Sequence, residues 1–513
     1  MVATSQPLAA QAGLSVLAAG GNAIDAAVAT AAALTVLEPT SNGIGADAFA
    51  LVWSGGRLYG LNASGPAPRR LSLEALRRDG LEELPAYGWA PVTVPGAPAA
   101  WAELSRRFGR VGLERALAPA VEYAERGYPI SPRVGAAWQR DFETYARLPE
   151  RELFRAWFET FAPLGRAPRI GEVWRSPDHA RTLQRIAETD AEDFYQGELA
   201  GRIDRTSREQ GGYLRKEDLE AFRPEWVEPI HVHYRGYDVW ELPPNGQGLV
   251  ALMALQILSG FELHARETVE TYHLQIEALK LAFADGLRYI ADPRHMSVRV
   301  EDLLSPAYAE ERRHQIGAAA LDPAPGRPPA GGTVYLCTAD AEGQMVSYIQ
   351  SNYMGFGSGV VVPGTGIALQ NRGHCFSLDP SHDNCLAPGK RPYHTIIPGF
   401  LTRDGEAVGP FGVMGGFMQP QGHLQVVSSL IDFHMNPQAA LDAPRWQWVE
   451  GRVVEFEAGV PRHIVEGLAR RGHAARWALG SGGFGRGQII VRLEDGVLVG
   501  ASEPRADGQV AAF

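Results

Sequence analysis

The chain has 513 residues, 45% of them apolar and 21% charged, with Gly and Pro spread throughout, which excludes a disordered or fibrous protein and allows a large buried core in two to four domains. A net charge of −11 and the lack of a Lys/Arg tract argue against a nucleic-acid partner. Cys337, Cys375 and Cys385 are odd in number and lack CxxC spacing, so reduced or buried thiols fit better than a disulfide or zinc framework.

The chain begins with α/β material. A helix over 8–19 ends at Gly20 and Gly21, and Asn22 caps a second helix over 23–37. The apolar run of that second helix is broken by Thr30 and Thr35 and falls short of the about 20 residues a membrane span needs. The first residues carry no basic stretch leading into an apolar one, so no signal peptide is expected and the cytoplasm is the default location. A strand follows over 48–53. Residues 102–225, rich in Arg, Glu and Asp with helical periodicity, predict a mainly helical scaffold. A strand over 237–242 passes through Pro243, Pro244, Asn245, Gly246, Gln247 and Gly248 into an apolar helix over 249–258. A further helix lines up Tyr272, Ile276, Leu279, Phe283, Leu287 and Ile290 at spacings of 3 and 4, a single stripe for the core. Residues 317–332 are mostly Ala, Pro and Gly and predict an exposed, pliable approach to the segment that follows. That segment reads as β: 333–339 and 345–350 form a hairpin around 340–343, and strands over 396–401, 408–413 and 488–492 accompany a helix over 425–434.

Thr333 is the residue that carries chemistry. It opens a strand directly after Gly331 and Gly332. Breaking the Gly332–Thr333 bond would free an α-amine on the same residue as the hydroxyl, an activated nucleophile with its own base. Such an amine titrates at about 7.7 to 8.0 and is partly unprotonated near neutral pH. Taken alone, the residue also reads as a threonine that simply starts a strand.

The wider set of motifs resembles the γ-glutamyltranspeptidases, in their soluble bacterial γ-glutamyltranspeptidase-like branch. The resemblance rests on runs along nearly the whole chain: 20–29, 42–49, 94–96, Pro243 and Pro244, 281–285, Gly332 and Thr333, 355–359, 388–392, Gly415 and Gly416, and 442–445. It implies an α+β N-terminal-nucleophile hydrolase with an αββα sandwich, made as a precursor that cuts itself into a large segment (1–332) and a small one (333–513) within one intertwined catalytic domain. Thr333 would attack the Gly332 carbonyl in the precursor and a substrate amide afterwards, passing an acyl group to water or an amine. A glycine before the scissile bond suits the strained backbone this needs. Ser351 matches the family's second hydroxyl, which positions the nucleophile; by itself it reads as a solvated strand-end serine. Gly415 and Gly416 match the glycine pair whose N–H groups form an oxyanion hole; by themselves they read as a turn.

The departures concern the substrate. Family members hold the glutamate α-carboxylate with an arginine where this chain has Ser64, and the α-ammonium with an aspartate where it has Cys375. Arg372 replaces a glutamine, and His394 and Thr395 replace a pair of serines. The stretch between Phe376 and Lys390 is short, so no covering lid is expected. A charged hydrogen bond contributes about 1.5 to 3 kcal/mol, so losing both grips should weaken γ-glutamyl recognition by hundreds-fold or more. Arg372, His374 and His394 are expected to line the pocket with donors and positive charge, suiting an acyl group that ends in a carboxylate but lacks the amine. Glutaryl-type amides are therefore the alternative substrates, and a non-catalytic binding or scaffold relative is the alternative from another class.

Neither a metal nor an organic cofactor is expected, and a homodimer is left open. His231 and His233 share a strand face, as some metal ligands do, but no third ligand lies near in sequence, and they read as a polar face. The loop 355–359 is Gly-rich but lacks a phosphate-binding lysine.

Overall fold

The structure is a computed structural model and describes residues 1–149, 151–323, 332–480 and 482–513. Two antiparallel sheets carry the fold. The first has seven strands in the order Gln509–Ala511, Val2–Thr4, Gly332–Ala339, Met345–Tyr353, Asp47–Ser54, Arg57–Ala63 and Glu225–Val227. The second has six, in the order Leu498–Ser502, Arg486–Arg492, Glu406–Met414, Gly399–Arg403, Tyr237–Glu241 and Ile230–Tyr234. Both sheets take strands from either side of Thr333.

Period-2 alternation explains how the layers stack. Along Gly332–Ala339, Tyr335, Cys337 and Ala339 join Phe49, Leu51, Ile349, Phe400, Met414 and Ile490 in an apolar layer between the sheets. Val334 and Leu336 point the other way, into a core shared with helices Ala23–Leu37, Ala97–Phe108 and Leu113–Arg126. The outer face of the second sheet is covered by Gly248–Leu258, Val269–Tyr289 and Met418–Ile431. Helix, sheet, sheet, helix is the αββα sandwich.

Local chemistry sets the element ends. Asn22 and Asp25 form a capping box at the start of Ala23–Leu37, every residue of which is buried. The strand expected from 396 starts at Gly399, because Pro398 cannot donate to a ladder. The helix expected over 425–434 is Met418–Ile431; its polar first turn tolerates Pro420, and Gln421 and Gln425 use their amides on the backbone of Trp446 and Trp448. Between 102 and 225 the chain is mainly helical, as read, with short strands added at Tyr128–Pro129, Val173–Trp174 and Glu225–Val227.

The approach to Thr333 differs from the expectation. Residues 324–331 lie outside the described residues, but 317–321 are fastened rather than pliable: the Gly317 carbonyl meets His273, Ala320 N–H donates to the Arg471 carbonyl, and both backbone polar groups of Leu321 are held by buried side chains.

Candidate active site

Three neighbouring strands bring the central residues together. Ser351 pairs with Asp47 across Met345–Tyr353 and Asp47–Ser54. On the other side, Gln350 pairs with Val334 and Tyr353 with Gly332, so Ser351 and Asn352 together oppose Thr333. This extra residue is a bulge, a device that re-aims side chains. Thr333, Ser351 and Asp47 share the parity of Tyr335, Ile349 and Phe49, so all three face the space between the sheets at one end of the sandwich.

The Thr333 and Ser351 hydroxyls lie 3.0 Å apart, and both residues are fully buried. Ser351 Oγ also accepts from Tyr353 N–H at 2.8 Å and from Arg372 Nη2 at 3.3 Å. Tyr353 sits at φ 77°, in the left-handed region that costs a bulky residue about 1–3 kcal/mol, so the packing around it must hold it there. Its ring lies 4.4 Å from the Arg372 guanidinium carbon.

Arg372 is buried yet meets hydroxyls rather than acids. Nη1 donates to Thr395 Oγ1 at 2.7 Å and Nη2 to Ser351, while among the described residues Nε has no partner and no carboxylate hydrogen-bonds the group. Gln247 extends the network, donating Nε2 to the carbonyls of Thr395 (2.6 Å) and Gly416 (2.9 Å). A continuous hydrogen-bonded path thus runs from Thr333 through Ser351, Arg372, Thr395 and Gln247 to Gly416. Gly415 (φ 138°) and Gly416 (φ 59°) form the turn into Met418–Ile431, where side chains with a Cβ would be strained and where the first N–H groups of a helix lack intrahelical partners.

His394 does not add positive charge, contrary to the expectation. Its Nε2 lies 3.0 Å from Asp47 Oδ2, and Ile396 N–H points at its Nδ1, so the ring is a neutral imidazole donating from Nε2. Burial, with the fields of Arg372 and Arg391, holds its pKa well below the ordinary value. Burial pushes Asp47 up to about 7, although Arg372 pulls it down. His374 is likewise committed, with Nδ1 2.6 Å from the Leu84 carbonyl. Cys375 is a free thiol whose pKa burial raises while Arg372 lowers it. Ser64 is buried, bonded to Asn62 and Asn245, and Arg391 donates to its carbonyl. The loop from Ser377 to Gly389 closes on itself, and Lys390 Nζ donates to the carbonyls of Asp383 and Cys385.

Sequence reading missed Asp47 and Gln247 as site residues. Asp47 was legible as a lone carboxylate in an otherwise apolar, Gly-rich run, a composition that signals burial with a partner.

Metal-ligand residue types converge elsewhere. His273 Nδ1 and His473 Nε2 are 2.9 Å apart, and His473 Nε2 lies 3.6 Å from Glu277 Oε1, all buried. Lys280 Nζ already sits 2.8 Å from that carboxylate oxygen, so an ammonium takes the cation's place. His231 and His233 are exposed; one stacks on Trp240 with ring centroids 4.1 Å apart, the other meets Asp238 at 3.1 Å, a polar face as read.

The αββα sandwich with this end-of-sheet site defines an N-terminal-nucleophile hydrolase. The γ-glutamyltranspeptidase family model matches residues 9–513, and the chain belongs to that family. It is 35% identical over 522 residues to the glutathione hydrolase-like YwrD proenzyme of Bacillus subtilis, covering 99% of this chain and 97% of that one. It is 36% identical over 526 residues to the oxamate amidohydrolase proenzyme of Klebsiella pneumoniae, covering 100% and 98%. Among solved structures, a cephalosporin acylase from Bacillus halodurans superposes with a TM-score of 0.98 at 63% identity, covering 100% of this chain and 95% of that one. The protein is therefore a γ-glutamyltranspeptidase-like enzyme, which sets aside the scaffold alternative. No helix among the described residues is long and apolar enough to cross a membrane.

Proposed function

We propose that the chain is a self-processing amide hydrolase or acyltransferase that cuts itself between Gly332 and Thr333 and then uses Thr333 as its acyl-accepting nucleophile. The observation that carries this is the buried 3.0 Å contact between the Thr333 and Ser351 hydroxyls at the head of a central strand. In the uncut chain Thr333 N is a peptide nitrogen and cannot serve as base; cleavage turns it into an amine beside the hydroxyl, which takes the proton as Oγ1 attacks the amide carbonyl and returns it to the substrate amine that leaves as the C–N bond breaks. Gly415 and Gly416 supply N–H groups for the developing oxyanion, and Gln247 fixes that turn through the Gly416 carbonyl. Ser351 positions the nucleophile, and Arg372 with Thr395 positions Ser351. Water or an amine then releases the acyl group.

The acyl group is not read as glutamate. Ser64 and Cys375 carry no charge where the family's arginine and aspartate would grip a zwitterion, and the Ser64 hydroxyl is already bonded to Asn62 and Asn245. The acylase and amidohydrolase names of close relatives support a broader amide substrate. A second reading, a carboxylate-ended acyl group of the glutaryl type, is favoured by the unpartnered Nε of Arg372. Mass spectrometry tests the first step: purified protein should give two fragments, the smaller beginning at Thr333. An active chain that stays whole would overturn the proposal.

A further inference from the structure

A buried guanidinium without a carboxylate partner is costly, so the charge of Arg372 must be balanced by something nearby. Two observations point to Asp47. It lies directly opposite Ser351 on the neighbouring strand, and Ser351 Oγ accepts from Arg372 Nη2 at 3.3 Å, so the buried carboxylate and the buried guanidinium flank the same residue. It is also locked in orientation: His394 Nε2–H donates to Oδ2 at 3.0 Å, Gly65 N–H approaches Oδ1 at 3.4 Å, and Ile396 N–H on His394 Nδ1 keeps the imidazole from turning its lone pair toward the acid. We propose that Asp47, oriented by His394, is the internal counter-ion of Arg372 and sets which charge of acyl group the site accepts. This rests on the acyl-transfer role proposed for Thr333.

With Asp47 ionised, His394 neutral and Arg372 charged, the cluster sums to zero, and a substrate carboxylate would bring an unbalanced negative charge into a buried site. With Asp47 neutral, Arg372 is uncompensated and a carboxylate-ended acyl group supplies the missing anion. Selectivity between charged and uncharged acyl groups therefore follows the ionisation of one protein carboxylate. The freed Thr333 amine reacts only in its neutral form and so adds no charge to the reacting enzyme, and the other groups facing Asp47 do not upset the count. Arg391 has its own partner in Glu225 at 2.7 Å, and Cys375 and Tyr195 are kept neutral by burial. Burial places Asp47 at about 7, within reach of experiment, while a glutaryl carboxylate, like a Glu side chain at about 4.3, stays ionised above pH 5.5.

The test is the ratio of kcat/KM for glutaryl p-nitroanilide to that for pentanoyl p-nitroanilide, measured from pH 5.5 to 8.5 with the self-processed enzyme. A ratio cancels the titration of the Thr333 amine, which both substrates need equally. In the wild type the ratio should rise about tenfold or more as pH falls through neutrality. Asp47→Asn should hold it at the high value throughout, and Asp47→Glu should restore the pH dependence, which a purely structural loss would not do. If Asp47→Asn fails to fold or to self-process, the wild-type profile alone decides, since a ratio flat across the range overturns the proposal. Turnover that survives Thr333→Ala would instead overturn the proposed nucleophile; a flat ratio in an enzyme that Thr333→Ala inactivates overturns only the role of Asp47.

Discussion

The chain buries charge in two places, and the two are built on opposite plans. In the helix Val269–Tyr289, Glu277 and Lys280 touch directly at 2.8 Å with both side chains inaccessible, and each also bonds the backbone of Leu321. Cation, anion and chain are closed into one unit whose output is the position of residues 317–321. Around Thr333, by contrast, Arg372 spends its donors on the hydroxyls of Ser351 and Thr395, and its counter-charge, Asp47, is held by a neutral histidine. Contact pairing fixes structure; separating the charges leaves a field at the hydroxyls that a proton or a substrate can change.

The sharpest way to separate the two plans is Thr333→Ala. It should leave the chain uncut by mass spectrometry and lower amidase activity by about 10⁴-fold or more, with little change in unfolding midpoint, since a nucleophile contributes to the reaction rather than to the core. Near-normal activity in this variant would remove Thr333 from the chemistry.

The opposite pattern is expected in the other cluster. Lys280→Met strands the Glu277 carboxylate in the core and should cost about 3–5 kcal/mol in urea-induced unfolding, whereas Glu277→Leu with Lys280→Met should recover most of that loss. Activity per folded molecule should change little in either. A single variant as stable as the wild type would show that Glu277 takes up a proton or water at negligible cost.

Arg372→Lys sharpens the comparison at lower amplitude. The charge survives but the fork that reaches Thr395 and Ser351 together does not, so kcat should fall about 10- to 100-fold while stability moves by less than in the Lys280 variant. Equal kcat in wild type and variant would mean that the position of Ser351 does not depend on the Arg372 fork.

How much of this could be read beforehand depended on sequence distance and on burial. Thr333 stood out because a Gly-Gly approach and a β-branched strand sit side by side, and Asn22 after Gly20 and Gly21 announced a helix start. Asp47 and His394 are 347 residues apart, and nothing local links them. Glu277 and Lys280 were visible, but a Glu and a Lys at spacing 3 on a helix ordinarily describe a solvated pair; only the near-complete burial of Val269–Tyr289, which places chain on every face of that helix, turns them into a core ion pair. The same contacts explain why the Ala/Pro/Gly composition of 317–332 misled for its first residues: backbone groups lacking regular structure were satisfied by side chains from that helix.

The smallest effect expected comes from His473 in the closed cluster. Its Nδ1 has no partner among the described residues and its Nε2 lies 2.9 Å from Nδ1 of His273, a ring that donates its Nε2–H to the Gly317 carbonyl and so accepts from His473. Burial, with Lys280 nearby, lowers its pKa from the ordinary 6.5 to about 3. The sign follows: between those values the unfolded chain binds a proton that the folded chain refuses, so the stability His473 permits is whole above about 6.5 and declines as pH falls toward 3, by up to about 1.4 kcal/mol per unit. His179 and His423, held down by burial to about 4 and about 3, add slopes in the same window, so the wild-type curve alone cannot assign the effect. The difference between wild type and His473→Asn can, because the other groups cancel. That difference, from urea unfolding at pH 7, 6, 5 and 4.5, should shrink and then reverse as acid is added, with the variant gaining on the wild type by about 1 kcal/mol per unit below pH 6. A difference that stays constant across the series would mean that His473 takes up its proton in the folded chain as readily as in the unfolded one, and that the strap at 317–321 yields to acid without unfolding the protein.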